Sequence, residues 1–331
     1  MASRAPTTSG SSEPHAPPHH KAPEKSEHES AKAREETSEE PHQIAGGLMD
    51  ERTFVQLTGL ATAYLRAAES ARPDRLINDP FAEKLAGGVA SQLMSFVSKW
   101  GPSSESAMDM LAIRTRYLDE ALANRNQDIS QVVILASGMD SRAYRLEALK
   151  GCHVLEIDQS QEYMDQKKRT LQEMSAKPIA KKVDYIVADL ANDAWETQLI
   201  ARGFNPKQPT FWCLEGMLYY LDRSSIVKVL KTMNALSAAG SQFWVDMCGK
   251  STLDSDQFAV QGLKFGEDNP KEGTLACIHW DLDIVASFDQ PGTHFGREWE
   301  PLKLSEKADD VLEWFFLMGK KPSNPDVAPL L

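Results

Sequence analysis

The chain has 331 residues, 41% hydrophobic and 25% charged, which suits one large or two small globular domains with ordinary cores. No apolar run reaches the roughly 18 to 20 residues that cross a bilayer, and the N-terminus lacks the apolar stretch of a signal peptide, so a soluble, cytoplasmic protein is expected. A formal net charge of -12 argues against a nucleic-acid partner, because phosphate binding depends on clustered Lys and Arg.

Between Ala2 and Gln43 there is no Val, Ile, Leu, Met, Phe, Trp, Tyr or Cys. Such a segment buries too little apolar area to offset its ordering entropy, so residues 1–43 are expected to be a disordered tail. Its five histidines read as part of a solvated low-complexity segment, and no metal site is expected. From residue 44 to 126 the pattern becomes helical: "FVQLTGLATAYLRAAES" and "SAMDMLAIRTRYLDEALANR" carry apolar residues at three- and four-residue spacing. Asn78-Asp79-Pro80-Phe81 between them reads as a helix start, a capping side chain followed by Pro in the first turn. This region is expected to form a helical cap.

From residue 127 short apolar runs alternate with amphipathic helices: "VVILAS", "HVLEID", "VDYIVADL", "TFWCLEG" and "SQFWVDM". That alternation predicts βαβ units and an α/β fold with a mostly parallel sheet. "LDIVASF" and "EWFFLMGK" are expected to complete it as an antiparallel pair at one edge. Cys152, Cys213, Cys248 and Cys277 form no C-x-x-C pair and read as reduced thiols.

Ligands of such sheets sit beyond the carboxyl ends of the strands, where a glycine turn lets the backbone come close. The first run ends in Ala136-Ser137-Gly138-Met139-Asp140, which makes Gly138 a candidate contact. Asp158 closes the next run twenty residues later, the separation at which an acid meets ribose hydroxyls in nucleotide-binding folds. Asp189 and Glu215 end two further runs. Glu215 follows an apolar strand and needs a partner, since an unpaired buried charge is costly, and a cationic cofactor is one candidate.

"RPDRLINDPFAEKLAG", "RTRYLDEAL", "VVILASGMDSRAYRL", "VLEIDQ", "IVADL" and "CLEGMLYYL", in that order between about Leu57 and Leu221, resemble the leucine carboxyl methyltransferase family and its relatives that methylate polyketide and other small-molecule acids. The resemblance implies a class I, Rossmann-like methyltransferase fold that binds S-adenosylmethionine. By matching motif positions it places Arg114 on the methionine carboxylate, Ala136 and Gly138 in the glycine loop, and Asp158 on the ribose. Asp189 and Leu190 would contact the adenine, and Glu215 would face the methionine portion. Arg142 reads as a structural ion-pair residue. The family usually has glycine where this chain has Ala136, whose methyl group resists positive φ.

A carboxylic acid, which titrates near pH 4, is ionised at neutral pH, whereas a phenol titrates at about 10, so a carboxylate acceptor needs no general base. No catalytic base is assigned. His153, His279 and His294 lie outside the cofactor motifs and read as structural, while Tyr219 and Tyr220 are placed to line an acceptor pocket. The expected function is O-methylation of a small-molecule carboxylate or hydroxyl. The alternatives are methylation of a protein C-terminal carboxylate, a nucleotide-dependent dehydrogenase, or a catalytically silent binding protein. The oligomeric state is left open.

Overall fold

The apolar runs after residue 127 become the strands of one sheet: β1 (Gln131–Leu135), β2 (His153–Asp158), β3 (Lys182–Val187), β4 (Thr210–Leu214), β5 (Gln242–Cys248), β6 (Asp281–Ser287) and β9 (Trp314–Lys320). They were located in a computed structural model that describes residues 51–88, 103–254, 262–304 and 310–323. The tail expected at residues 1–43 lies outside this range.

The strand order is β3-β2-β1-β4-β5-β9-β6. β1 to β5 are parallel, and β9 runs antiparallel to both β5 and β6, which gives the edge pair expected from the last two runs. β1 and β4 are buried at every position, as strands covered on both faces should be. Two three-residue strands, β7 (Gly292–His294) and β8 (Arg297–Trp299), make a separate hairpin.

Among the described residues three helices precede the sheet: α1 (Glu51–Ser70), α2 (Ala82–Ala86) and α3 (Ser104–Ala123). Ser103 caps α3 by accepting from the Ser106 amide. The start expected at Asn78-Asp79-Pro80-Phe81 falls slightly late, because α2 begins at Ala82 and its N-cap, Phe81, makes no side-chain cap bond. Asp79 does accept from the Phe81 amide at 3.1 Å, but its other oxygen is taken by Arg66 and Ser141. Among the later helices are α4 (Arg142–Arg145), α5 (Gln161–Glu173), α6 (Trp195–Ala201) and α7 (Arg223–Leu236). Trp195 and Leu199 of α6 and Ile226, Val229 and Leu230 of α7 pack on one face of the sheet. Ile113, Leu118 and Leu122 of α3 pack on the other.

Ion pairs fasten α1 to the strand ends. Arg66 bonds Asp79 at 3.0 Å and the Met139 carbonyl at 2.6 Å, so the helix is tied to the loop that follows β1. Arg297 of β8 reaches Glu69 of α1 at 3.0 Å and also pairs with Asp109 of α3.

Candidate active site

In the order 3-2-1-4-5 the strand order reverses between β1 and β4, and a crevice opens at their carboxyl ends. A cavity of about 390 Å³ lies there, within the 300 to 1,000 Å³ common for small-molecule sites. Arg114, Ala136, Gly138, Asp158, Asp189, Leu190 and Glu215 all line it. Strand ends, their loops and one helix therefore bring together every residue expected to hold the cofactor.

The loop after β1 has backbone of the kind that needs little side chain. Gly138 sits at φ +44° and Ala136 at φ +51°, so alanine occupies the left-handed region that it resists. Across the cavity mouth Gly59 of α1 faces this loop, and a Cβ on it would lie 3.9 Å from the Gly138 Cα. Asp158 supports the loop from β2: one carboxylate oxygen accepts from the Gly138 amide at 2.8 Å, the other from the Ser160 amide at 2.9 Å. Each oxygen keeps a second lone pair for a ligand hydroxyl. Asp189 organises its own turn by accepting from the Ala191 amide and the Asn192 side chain, both at 2.9 Å, and Leu190 beside it is buried.

Glu215 finds charge partners within the protein. Its partners are two arginines, with Arg142 donating to Oε2 at 2.7 Å and Arg114 to Oε1 at 3.2 Å, so no cationic cofactor is needed to neutralise it. Burial, the largest influence, pushes its pKa up, yet Arg142 and Arg114 together hold it below the usual range. Arg142 also binds Asp119 at 2.7 Å and Asp140, the ion-pair role read from the sequence. Burial opposes ionisation of Asp140 as well, and Arg142 again outweighs it.

Arg114 is 8% exposed, unlike a helical arginine pointing to solvent. Its Nε meets Glu215, and its Nη1 meets the Tyr219 hydroxyl at 3.2 Å and Asp246 at 3.5 Å. Asp246, at 0% exposure, also accepts from the Gly216 amide and the Trp314 indole, and burial raises its pKa despite Arg114.

The three histidines sit elsewhere. His153 bonds Asp184 at 2.6 Å on β3, His294 meets the Tyr117 hydroxyl at 2.9 Å, and His279 adopts a left-handed turn. The sequence reading missed the contribution of α1, whose Thr58, Gly59, Thr62 and Arg66 line the cavity. Their spacing of three to four residues was the available signal. Among the described residues no group of His, Cys, Asp and Glu is arranged to hold a metal ion, and no helix is long and apolar enough to cross a membrane.

The sheet order β3-β2-β1-β4-β5-β9-β6 with β9 antiparallel, joined to a glycine turn after β1 and an acid ending β2, is that of the class I methyltransferases, enzymes that take their methyl group from S-adenosylmethionine. Residues 59–234 match the leucine carboxyl methyltransferase family, and the chain belongs to it. A relative from Mycolicibacterium smegmatis, designated an S-adenosyl-L-methionine-dependent methyltransferase, is 36% identical over 278 residues, covering 75% of this chain and 91% of its own length. One of the same designation from Saccharopolyspora erythraea is 34% identical, covering 72% of this chain and 89% of its own. The fold is shared with the crystal structure of a duf574 family protein from Streptomyces avermitilis, with a TM-score of 0.51 and 11% identity over 79% of this chain and 97% of that one.

Proposed function

We propose that this methyltransferase acts on oxygen, converting the carboxylate of a small-molecule acid to its methyl ester. The observation that carries the reading is the chemistry of the cavity wall. No histidine or cysteine lines it among the described residues, and Asp140, Glu215 and Asp222 are held below the usual carboxylate range and make poor bases. Burial raises the Tyr220 pKa, so this hydroxyl stays protonated and is no base either. A phenol or alcohol would have to lose a proton to such a site, whereas a carboxylate arrives ionised.

The residues fit the donor. The Ala136–Gly138 loop lets the backbone approach, Asp158 offers lone pairs to the ribose hydroxyls, and Asp189 and Leu190 flank the adenine. Arg114 would take the amino-acid carboxylate, with Glu215 keeping that guanidinium in place. When bound, S-adenosylmethionine would supply an electrophilic methyl group to the acceptor oxygen, the electron pair of the broken carbon–sulfur bond staying on sulfur. The protein contributes alignment and exclusion of water, with α1 covering the cavity.

The test uses S-adenosylmethionine tritiated on the methyl group, with a panel of carboxylic acids and a matched panel of phenols. Methyl esters release their label as methanol in mild base, and aryl ethers do not. Base-labile incorporation on the acids is expected. Label only in base-stable products would overturn the carboxylate assignment.

A further inference from the structure

A second, smaller cavity of about 60 Å³ borders the first. Thr58, Thr62, Arg114, Gly216 and Tyr220 line both, so the two share a wall at which the methyl group would be delivered. From this geometry we infer that the small cavity receives the carbon atoms next to the acceptor's carboxylate, and that it is built for an unbranched aliphatic segment rather than a ring. The inference rests on the carboxylate reading above.

The walls that belong to this cavity alone are Ala107, Met110 and Leu111 of α3, Tyr219 after β4 and Trp314 of β9. The Tyr219 hydroxyl and the Trp314 indole both donate to Asp246 Oδ2, at 3.3 and 3.1 Å, so these rings present carbon to an occupant. Thr58 and Thr62 donate their hydroxyl hydrogens to the Val55 and Gly59 carbonyls, at 2.6 and 2.9 Å, and have none left to give an anion. The polar side chains of Arg114 and Tyr220 lie on the wall shared with the larger cavity, so a carboxylate would sit there and not against the apolar walls. It belongs at the border, facing the methyl group, where the donor's own sulfonium charge offsets it, and only the apolar part enters.

Size then decides the shape. An apolar cavity of about 150 Å³ holds benzene, or about 25 Å³ per carbon, so 60 Å³ has room for two or three carbons and excludes an aryl ring. Branching at the α carbon would crowd the same space.

The experiment compares kcat/KM for propionate, butyrate, benzoate and pivalate, with tritiated S-adenosylmethionine as donor. Cofactor affinity by calorimetry is the control for folding. The wild-type chain is expected to esterify propionate and butyrate at least tenfold faster than benzoate or pivalate. Met110→Ala should raise benzoate at least tenfold relative to butyrate. Ala107→Leu, which fills the cavity, should cut all the acids by a similar factor while cofactor affinity stays within twofold, and it keeps the test open should Met110→Ala fail to fold. If benzoate equals butyrate in the wild type, or the substitutions leave the preference unmoved, the small cavity is not the subsite while carboxyl methylation stands. If the wild-type chain binds the cofactor and esterifies none of the acids, the carboxylate reading falls and takes this inference with it.

Discussion

Glu215→Gln isolates the link between the two buried arginines of the site. Glutamine keeps the size and one acceptor oxygen but removes the charge that Arg142 meets at 2.7 Å and Arg114 at 3.2 Å. Breaking a buried pair by neutralising one partner costs about 3 to 5 kcal/mol. Here Arg142 retains Asp119 and Asp140, and Arg114 retains Asp246, so the loss should fall at the low end, about 3 kcal/mol. For a domain of this size, at about 2 to 4 °C per kcal/mol, the melting temperature should drop by roughly 6 to 12 °C. The pH dependence has a fixed sign. The folded pKa of Glu215 lies below its ordinary 4.5, so the charge stabilises the fold above that value, and the benefit fades as pH falls through the folded pKa. Thermal melts of both proteins from pH 3 to 8 should therefore show the widest gap near neutrality and a closing gap in acid. A variant that melts within about 2 °C of wild type at pH 7 would refute the bridging role.

Arg114→Lys keeps the charge but loses the planar fork, and should weaken S-adenosylmethionine binding about tenfold while barely affecting an analogue without the amino-acid carboxylate. Equal penalties for the two ligands would remove Arg114 from that contact. Ala136→Gly relieves the left-handed strain at φ +51°, worth about 1 kcal/mol, and loses a similar amount through the freer unfolded chain. Its stability should stay within about 1 kcal/mol of wild type in urea titration, with cofactor affinity equal or better, and a loss above about 2 kcal/mol would contradict the backbone argument. Glu156 pairs with Lys167 at 0% exposure, yet burial dominates and pushes its pKa up to about 7. Its stabilising contribution is present below its ordinary 4.5 and lost as pH rises through about 7, so Glu156→Gln should flatten the stability profile across that interval. An unchanged slope would show that Glu156 does not titrate there.

The sheet was legible because its central strands are apolar on both faces: "HVLEID" and β2 coincide, and the other long strands fall within one to three residues of their runs. The β7–β8 hairpin was not, since three residues carry too little period to register, and Phe295 at its turn holds φ +55°, which no propensity favours. Motif order brought Arg114, Asp158 and Glu215 to one cavity. The arginine network was hidden because its members are far apart in sequence: Arg114 and Glu215 are separated by 101 residues, and Arg297 and Glu69 by 228. The acid at Glu215 was correctly seen to need a partner, but a strand-end pattern cannot say that Arg142 and Arg114 supply it.

The most direct test of the site is calorimetric titration of the intact chain and of Asp158→Ala with S-adenosylmethionine, with NAD as the control ligand. The wild-type protein should bind one equivalent of S-adenosylmethionine and give no heat with NAD. The variant should bind at least tenfold more weakly, because charge-assisted bonds to the two ribose hydroxyls contribute roughly 1.5 to 3 kcal/mol. A folded Asp158→Ala with unchanged affinity, or a wild-type chain that prefers NAD, would contradict the site as assigned.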